Sequence, residues 1–216
     1  MLRSSGARAQ STDAPQPARE DPSSRAAASR ARILVEAARI IRERGIAGAS
    51  VDMVMGAAGL TRGGFYAHFP DKTALAAEAL GLMFDRATRR WVGGAPTTAS
   101  PGAWAAAAIS KYLTMRHVDS PGDGCWAPAL AAELSRAEPE LRAVAGARTD
   151  ELVNAMAARL AGDSPVGPSH RSRALLLFAA CVGAVSLARA VGDRALATEI
   201  VDSVRGELLA LFGERP

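Results

Sequence analysis

Residues 3 to 32 contain no large apolar side chain, whereas from Ile33 onward apolar positions recur at three- and four-residue steps. Residues 1 to 28 have nothing to bury that would offset the entropy of ordering, and a disordered arm is expected there. Ser29 is placed to cap a first helix, in which Leu34, Ala37, Ala38 and Ile41 follow the i, i+3, i+4, i+7 rule and Ile33 and Ile40 widen the stripe. Arg39, Arg42, Glu43 and Arg44 fall on its wet face, and Gly45 ends it. Ser50 caps a short helix of Val51 to Ala58, Gly59 makes a turn, and Thr61 opens a third, very short helix through Tyr66. Pro70 and Asp71 close that helix and open a long fourth one with Leu75, Ala79, Leu82, Met83 and Phe84.

Past Trp91, the segment Gly93 to Gly102 has linker composition. Trp104, Ala108, Tyr112 and Met115 then stripe one helix, Ala129 to Arg136 starts another, and Pro139 to Leu160 forms a long third. A break at Ser164 to Pro168 precedes two last helices, Arg171 to Val191 and Arg194 to Phe212. No stretch sustains strand alternation. The expected fold is all-α with about nine helices: an arm (1–28), a three-helix helix-turn-helix domain (29–76) and a larger helical bundle domain (77–216).

A chain of 216 residues, 49% hydrophobic, is large enough to bury a substantial core. The net charge of +4 permits a polyanionic partner without selecting one, and Lys72 and Lys111 are the only lysines. Cys125 and Cys181 lie far apart with no CxxC, which indicates neither a disulfide framework nor a metal site and suits a reducing cytoplasm. The N-terminus lacks a signal peptide's apolar stretch. The longest apolar run, Ala174 to Ala188, is roughly 15 residues, short of the about 20 that span a bilayer, so no membrane role is expected. There is no G-x-S-x-G, H-E-x-x-H or phosphate loop, hence no expectation of an enzyme or a cofactor.

Short helix, glycine turn, short helix is a geometry that sets a recognition helix into the DNA major groove, its N-terminal end toward the bases. Here that end is Thr61-Arg62-Gly63-Gly64. Two helix glycines cost roughly 1 kcal/mol each relative to alanine, a cost that close approach to DNA would offset. The run from Ser50-Val-Asp through Ala57-Ala-Gly-Leu-Thr-Arg-Gly-Gly-Phe-Tyr-Ala-His-Phe-Pro-Asp-Lys72 resembles the DNA-binding signature of the tetracycline-repressor (TetR/AcrR) family. The resemblance implies that Thr61, Arg62 and Gly63, with Gly64 beside them, face bases, while Ser50, Tyr66, His68 and Lys72 hold the backbone. Phe65 and Phe69 are expected in the small core with Leu34, Ile41 and Val54. Met53 and Gly56 depart from the family pattern, outside the recognition end.

Gly124-Cys125-Trp126, Glu133-Leu134 and Pro139-Glu140-Leu141-Arg142 resemble a common subtype of that family's second domain. This implies a small-molecule effector pocket and a homodimer in which the last two helices of each chain form a four-helix bundle. Ala179, Ala180, Gly183, Ala184 and Ser186 provide small residues suited to close helix packing. Trp104, Tyr112, Met115 and Trp126 read either as an aromatic effector pocket or as ordinary core. Cys125, near an expected helix start, reads either as a redox-sensing thiol or as a buried inert one. His117 and His170 read as structural or surface residues. The expectation is a cytoplasmic repressor that holds a near-palindromic double-stranded operator and releases it when an effector binds.

Overall fold

A computed structural model describes residues 22–93, 96 and 98–213. Among the described residues there is no strand, and nine α-helices and two 3₁₀ segments follow one another. They are α1 (Pro22–Gly48), α2 (Val51–Ala57), a 3₁₀ segment (Arg62–Ala67), α3 (Lys72–Val92), α4 (Pro101–Tyr112), α5 (Met115–Asp119), a second 3₁₀ turn (Pro121–Asp123), α6 (Ala127–Leu134), α7 (Pro139–Ala161), α8 (Pro168–Ala190) and α9 (Arg194–Phe212). The all-α expectation holds.

Several boundaries differ from those read off the periodicity. α1 begins at Pro22, so Ser29 lies inside the helix instead of capping it, and residues 22–28 are helical where disorder was expected. Residues 1–21 of the expected arm lie outside the described residues. Residues 23–28 are exposed, so burial is not what orders them. Alanine is the best helix former, and a helix nucleated on the buried Ile33 and Ala37 propagates backward through Ala26, Ala27 and Ala28 at little cost. The stripe from Trp104 to Met115 is also interrupted. Leu113 takes φ −86°, ψ 82° and ends α4, and Thr114 caps a new helix by accepting from His117 N, so Met115 belongs to α5. Of the expected linker Gly93 to Gly102, Gly94, Ala95 and Thr97 lie outside the described residues, and Pro101 and Gly102 already belong to α4, which Ser100 caps.

Other starts were legible. Ser50 Oγ accepts from Met53 N at 3.2 Å and Asp71 Oδ1 from Ala74 N at 2.8 Å, caps typically worth about 1 kcal/mol each. Gly59 makes its turn with φ 69°, as a residue without Cβ allows.

The buried side chains form one continuous cluster. It includes Ile33, Ile41, Val54, Phe65 and Phe69, follows α3 through Leu75, Leu80 and Phe84, and continues into Trp104, Leu130, Met156, Leu177 and Val201. α8 has the length and hydropathy of a membrane span, but Leu177, Phe178, Cys181, Ala184 and Val185 are buried among its neighbours.

Three polar ties fasten α1 to the second half of the chain. Arg42, expected on the wet face, is buried: its Nε and Nη2 both donate to the Gly122 carbonyl, and burial lowers its pKa to about 10. The i, i+3, i+4 pattern marks the face of α1 toward its near neighbours, and the turn that covers Arg42 arrives eighty residues later. Ile46 N and Ala47 N donate to the Glu133 carboxylate at 2.9 and 3.0 Å. Gly45 sits between these ties at φ 78°, and a Cβ there would lie 2.8 Å from Glu133 Oε2.

Candidate nucleic-acid interface

The 3₁₀ segment is anchored by its aromatic residues and open at its polar ones. Phe65 and Phe69 are each 1% exposed, with ring centroids 5.9 Å apart, and they join the same cluster as Ile41 and Val54, with Leu34 packed against it. Tyr66, between them, is 71% exposed and only touches Phe65 edge-on at 5.3 Å. Its ring and hydroxyl are therefore free to meet a partner, one apolar and the other polar.

Arg62 is also exposed, and its Nη1 sits 2.7 Å from Asp52 Oδ2 of α2. Both side chains are more than half exposed, so this pair contributes little to stability and exchanges easily for another anion. Thr61 and Gly63 are exposed and Gly64 is half-buried. Thr61 stands at the N-cap position without a side-chain capping bond. Gly63 has no positive φ, and nothing lies within 4 Å of where its Cβ would be; at Gly64 the nearest atom is Met55 Cε at 3.8 Å. The fold itself therefore does not require glycine at either position.

Of the other predicted backbone contacts, Ser50 is exposed and uses its hydroxyl as the α2 cap, and His68 is half-buried at the end of the 3₁₀ segment. Lys72, at the start of α3, directs its ammonium to the Ala47 carbonyl at 3.0 Å, bracing the link between α1 and α2. Asp52 is a residue of this surface that sequence reasoning missed. The motif does not single it out, and the fold brings its carboxylate beside the arginine ten positions on.

The four aromatic and sulfur-bearing candidates in the second half do not gather in one cavity. Trp104 is fully buried and donates its indole N–H to the Trp91 carbonyl at 3.1 Å. Tyr112 is buried between Trp91, 4.8 Å away by centroid, and His117 at 4.5 Å. Met115 is partly buried at the start of α5. Trp126 alone of the four lines an open apolar cavity of about 380 Å³, with Leu134, Val153 and Leu175.

Cys125 is buried, its backbone N–H donates to His117 Nε2 at 3.0 Å, and burial pushes its thiol pKa up. The shift is opposite to the lowering that a helix start was expected to give, and a high-pKa enclosed thiol lacks the thiolate character that oxidant sensing needs. Helix α6 begins at Ala127, past the cysteine, and desolvation outweighs the dipole. His117 itself is a structural histidine. Its Nδ1 meets the Tyr112 carbonyl at 2.9 Å and its pKa is lowered to about 4, chiefly by burial.

Residues 33–79 match the family model described as bacterial regulatory proteins, tetR family. No protein of curated function matches the chain. Among solved structures, a TetR transcriptional regulator from Chloroflexus aurantiacus is similar at 25% identity, with TM-score 0.67 over 87% of this chain and 95% of that one. A TetR-family transcriptional regulator from Streptomyces coelicolor is similar at 25% identity, TM-score 0.60, over 89% and 96% of the two chains. At 17% identity a TetR regulator from Legionella pneumophila shares the fold, with TM-score 0.69 over 84% and 95%.

Proposed function

We propose that this chain, whose residues 33–79 match the tetR family of bacterial regulatory proteins and whose fold is that of solved TetR regulators, is a DNA-binding, ligand-responsive repressor acting as a homodimer. The observation that carries the DNA-facing part is the combination at the 3₁₀ segment: an exposed Arg62 and Tyr66 over buried Phe65 and Phe69, with glycines the fold does not need. On this reading Thr61, Arg62 and Gly63 approach base edges, with Gly64 keeping the backbone close. Tyr66, His68, Ser50 and Lys72 lie around the phosphates, which position the protein without reading sequence. Arg62 exchanges Asp52 for a base or a phosphate, a low-cost swap because both partners already face water.

Residues 29–76 act as the DNA-binding unit and residues 77–216 as the unit that dimerises and takes the effector. Leu175, Leu176 and Leu187 on α8 and Leu196 and Leu211 on α9 are exposed leucines on the last two helices. A second copy packing its α8 and α9 against them buries these side chains and sets two recognition segments about 34 Å apart, one turn of DNA. An effector acts by its differential affinity for arrangements with different spacing. Trp126 and its apolar cavity, reached from α6, α7 and α8, are part of the effector region.

The test is selection from random duplex DNA by the full chain at about 100 mM salt, since affinities here depend steeply on salt. The expected product is a near-palindromic sequence with half-sites one helical turn apart. Recovery of no preferred sequence would overturn the reading.

A further inference from the structure

At the end of α3 remote from the 3₁₀ segment, Arg86, Arg89 and Arg90 stand at three- and four-residue spacing on one helix face. Lys111 from the end of α4 and Arg116 from α5 reach the same cavity, which has a volume of about 840 Å³. These five cationic side chains share its wall with one carboxylate, Asp123. Among the described residues none of the five has an ion-pair partner, although nine such pairs occur elsewhere in the molecule. The wall also holds a desolvated donor in want of an acceptor: Arg90 Nε is buried without a hydrogen-bond partner, while Nη1 of the same side chain reaches the Asp123 carbonyl at 3.3 Å. His117 is buried in the wall, and Gly124 leaves the space beside it clear, since a Cβ there would come within 2.8 Å of His117 Nε2.

Arg86, Arg89, Lys111 and Arg116 reach water and Arg90 is half-buried, so their mutual repulsion costs the fold little, while the field they sum to in one concave place favours an anion. DNA held at the 3₁₀ segment does not provide it. Arg89 lies seventeen residues beyond Lys72 on the same helix, about 25 Å along its axis. A membrane surface or a duplex is too flat or too stiff to enter the hollow, whose volume is in the range of small-molecule sites. Arginine's planar fork matches phosphate oxygens two at a time.

We propose that this cavity binds a small organic polyphosphate, one molecule per chain, through Arg86, Arg89, Arg90, Lys111 and Arg116. The site supplies the anionic end of an effector if the repressor reading holds. It rests on that reading for its output alone, because binding is measured without DNA.

The experiment is calorimetric titration of the full chain with inorganic tripolyphosphate and with ATP, at about 100 mM salt to screen diffuse surface attraction. Both ligands should bind saturably, one per chain, and raise the melting temperature. The double substitution Arg86→Ala/Arg89→Ala should weaken binding at least tenfold, and Lys111→Ala alone should weaken it severalfold. Arg142→Ala, which removes an exposed arginine outside the cavity, should leave binding as it was. Absence of saturation, equal binding of inorganic monophosphate, or equal loss in the Arg142 variant would each overturn the proposal. The DNA selection described above judges the repressor reading separately.

Discussion

Gly63 and Arg62 are neighbours whose substitution separates folding from recognition. A Cβ at position 63 meets nothing and its φ is not positive, so Gly63→Ala should leave thermal stability unchanged or raise it by up to about 1 kcal/mol. The same variant should lose at least tenfold in operator affinity by fluorescence anisotropy, because the added methyl meets DNA instead of protein. Arg62→Ala should relax preference at particular base pairs, whereas Tyr66→Phe should weaken binding to all sequences alike; comparing selected sequences for the two variants checks that split. His117 makes a prediction about acid. Its pKa is about 4 in the folded chain against 6.5 for an ordinary histidine, so the unfolded chain takes up the proton first. Stability should therefore fall as pH drops from about 6.5 to about 4, by up to about 3 kcal/mol, a slope missing from His117→Gln in urea titrations across that range. At this scale the sequence was readable where partners are local. The Ser50 cap follows from short-range pattern and the core placement of Phe65 and Phe69 accompanies the family resemblance, whereas Arg42 was assigned to water because the Gly122 carbonyl that buries it is eighty positions distant.

Helices were recognisable from their period, and their ends from caps such as Ser50, but the period alone gives neither the hydrogen-bond class nor every break. The segment Arg62–Ala67, expected as a short helix, is 3₁₀, with two glycines weakening any longer helix, and the division between α4 and α5 at Leu113 hides inside an apolar stripe that runs on in register. The early start of α1 is a propensity effect, invisible to an argument built on burial. The tie between α1 and α6 is likewise non-local. Glu133→Ala removes the acceptor of two backbone N–H groups at the end of α1 and should cost about 1–3 kcal/mol, read from denaturation midpoints. Gly45→Leu should cost comparably, through strain at φ 78° and collision with Glu133, and the two losses should not add.

Across the whole molecule, fold class and the helix-turn-helix followed from the sequence, while the packing of the second half onto α1 and the two cavities did not. Arg86 to Arg90, Lys111 and Arg116 are spread over thirty positions in an arginine-rich chain, and only the fold collects them. Assembly gives the prediction that belongs here. Leu176→Glu with Leu187→Glu places two charges on exposed leucines of α8 and should yield a helical monomer by light scattering at micromolar concentration, with operator affinity reduced because the second half-site is lost. On the proposed reading α3 joins the two sites. This single helix of 21 residues carries Lys72 beside the 3₁₀ segment at one end and Arg86, Arg89 and Arg90 at the other, where Asp85 pairs with Arg148 of α7. The helix is about 30 Å long, so on the proposed reading the DNA-facing segment and the cationic cavity lie toward its opposite ends. On that reading a tilt of about 5° pivoted at Arg89 would swing Lys72, about 25 Å away, by roughly 2 Å, and two such swings in a dimer would change the reach between grooves by up to about 4 Å, a mismatch that a fixed helical repeat does not absorb.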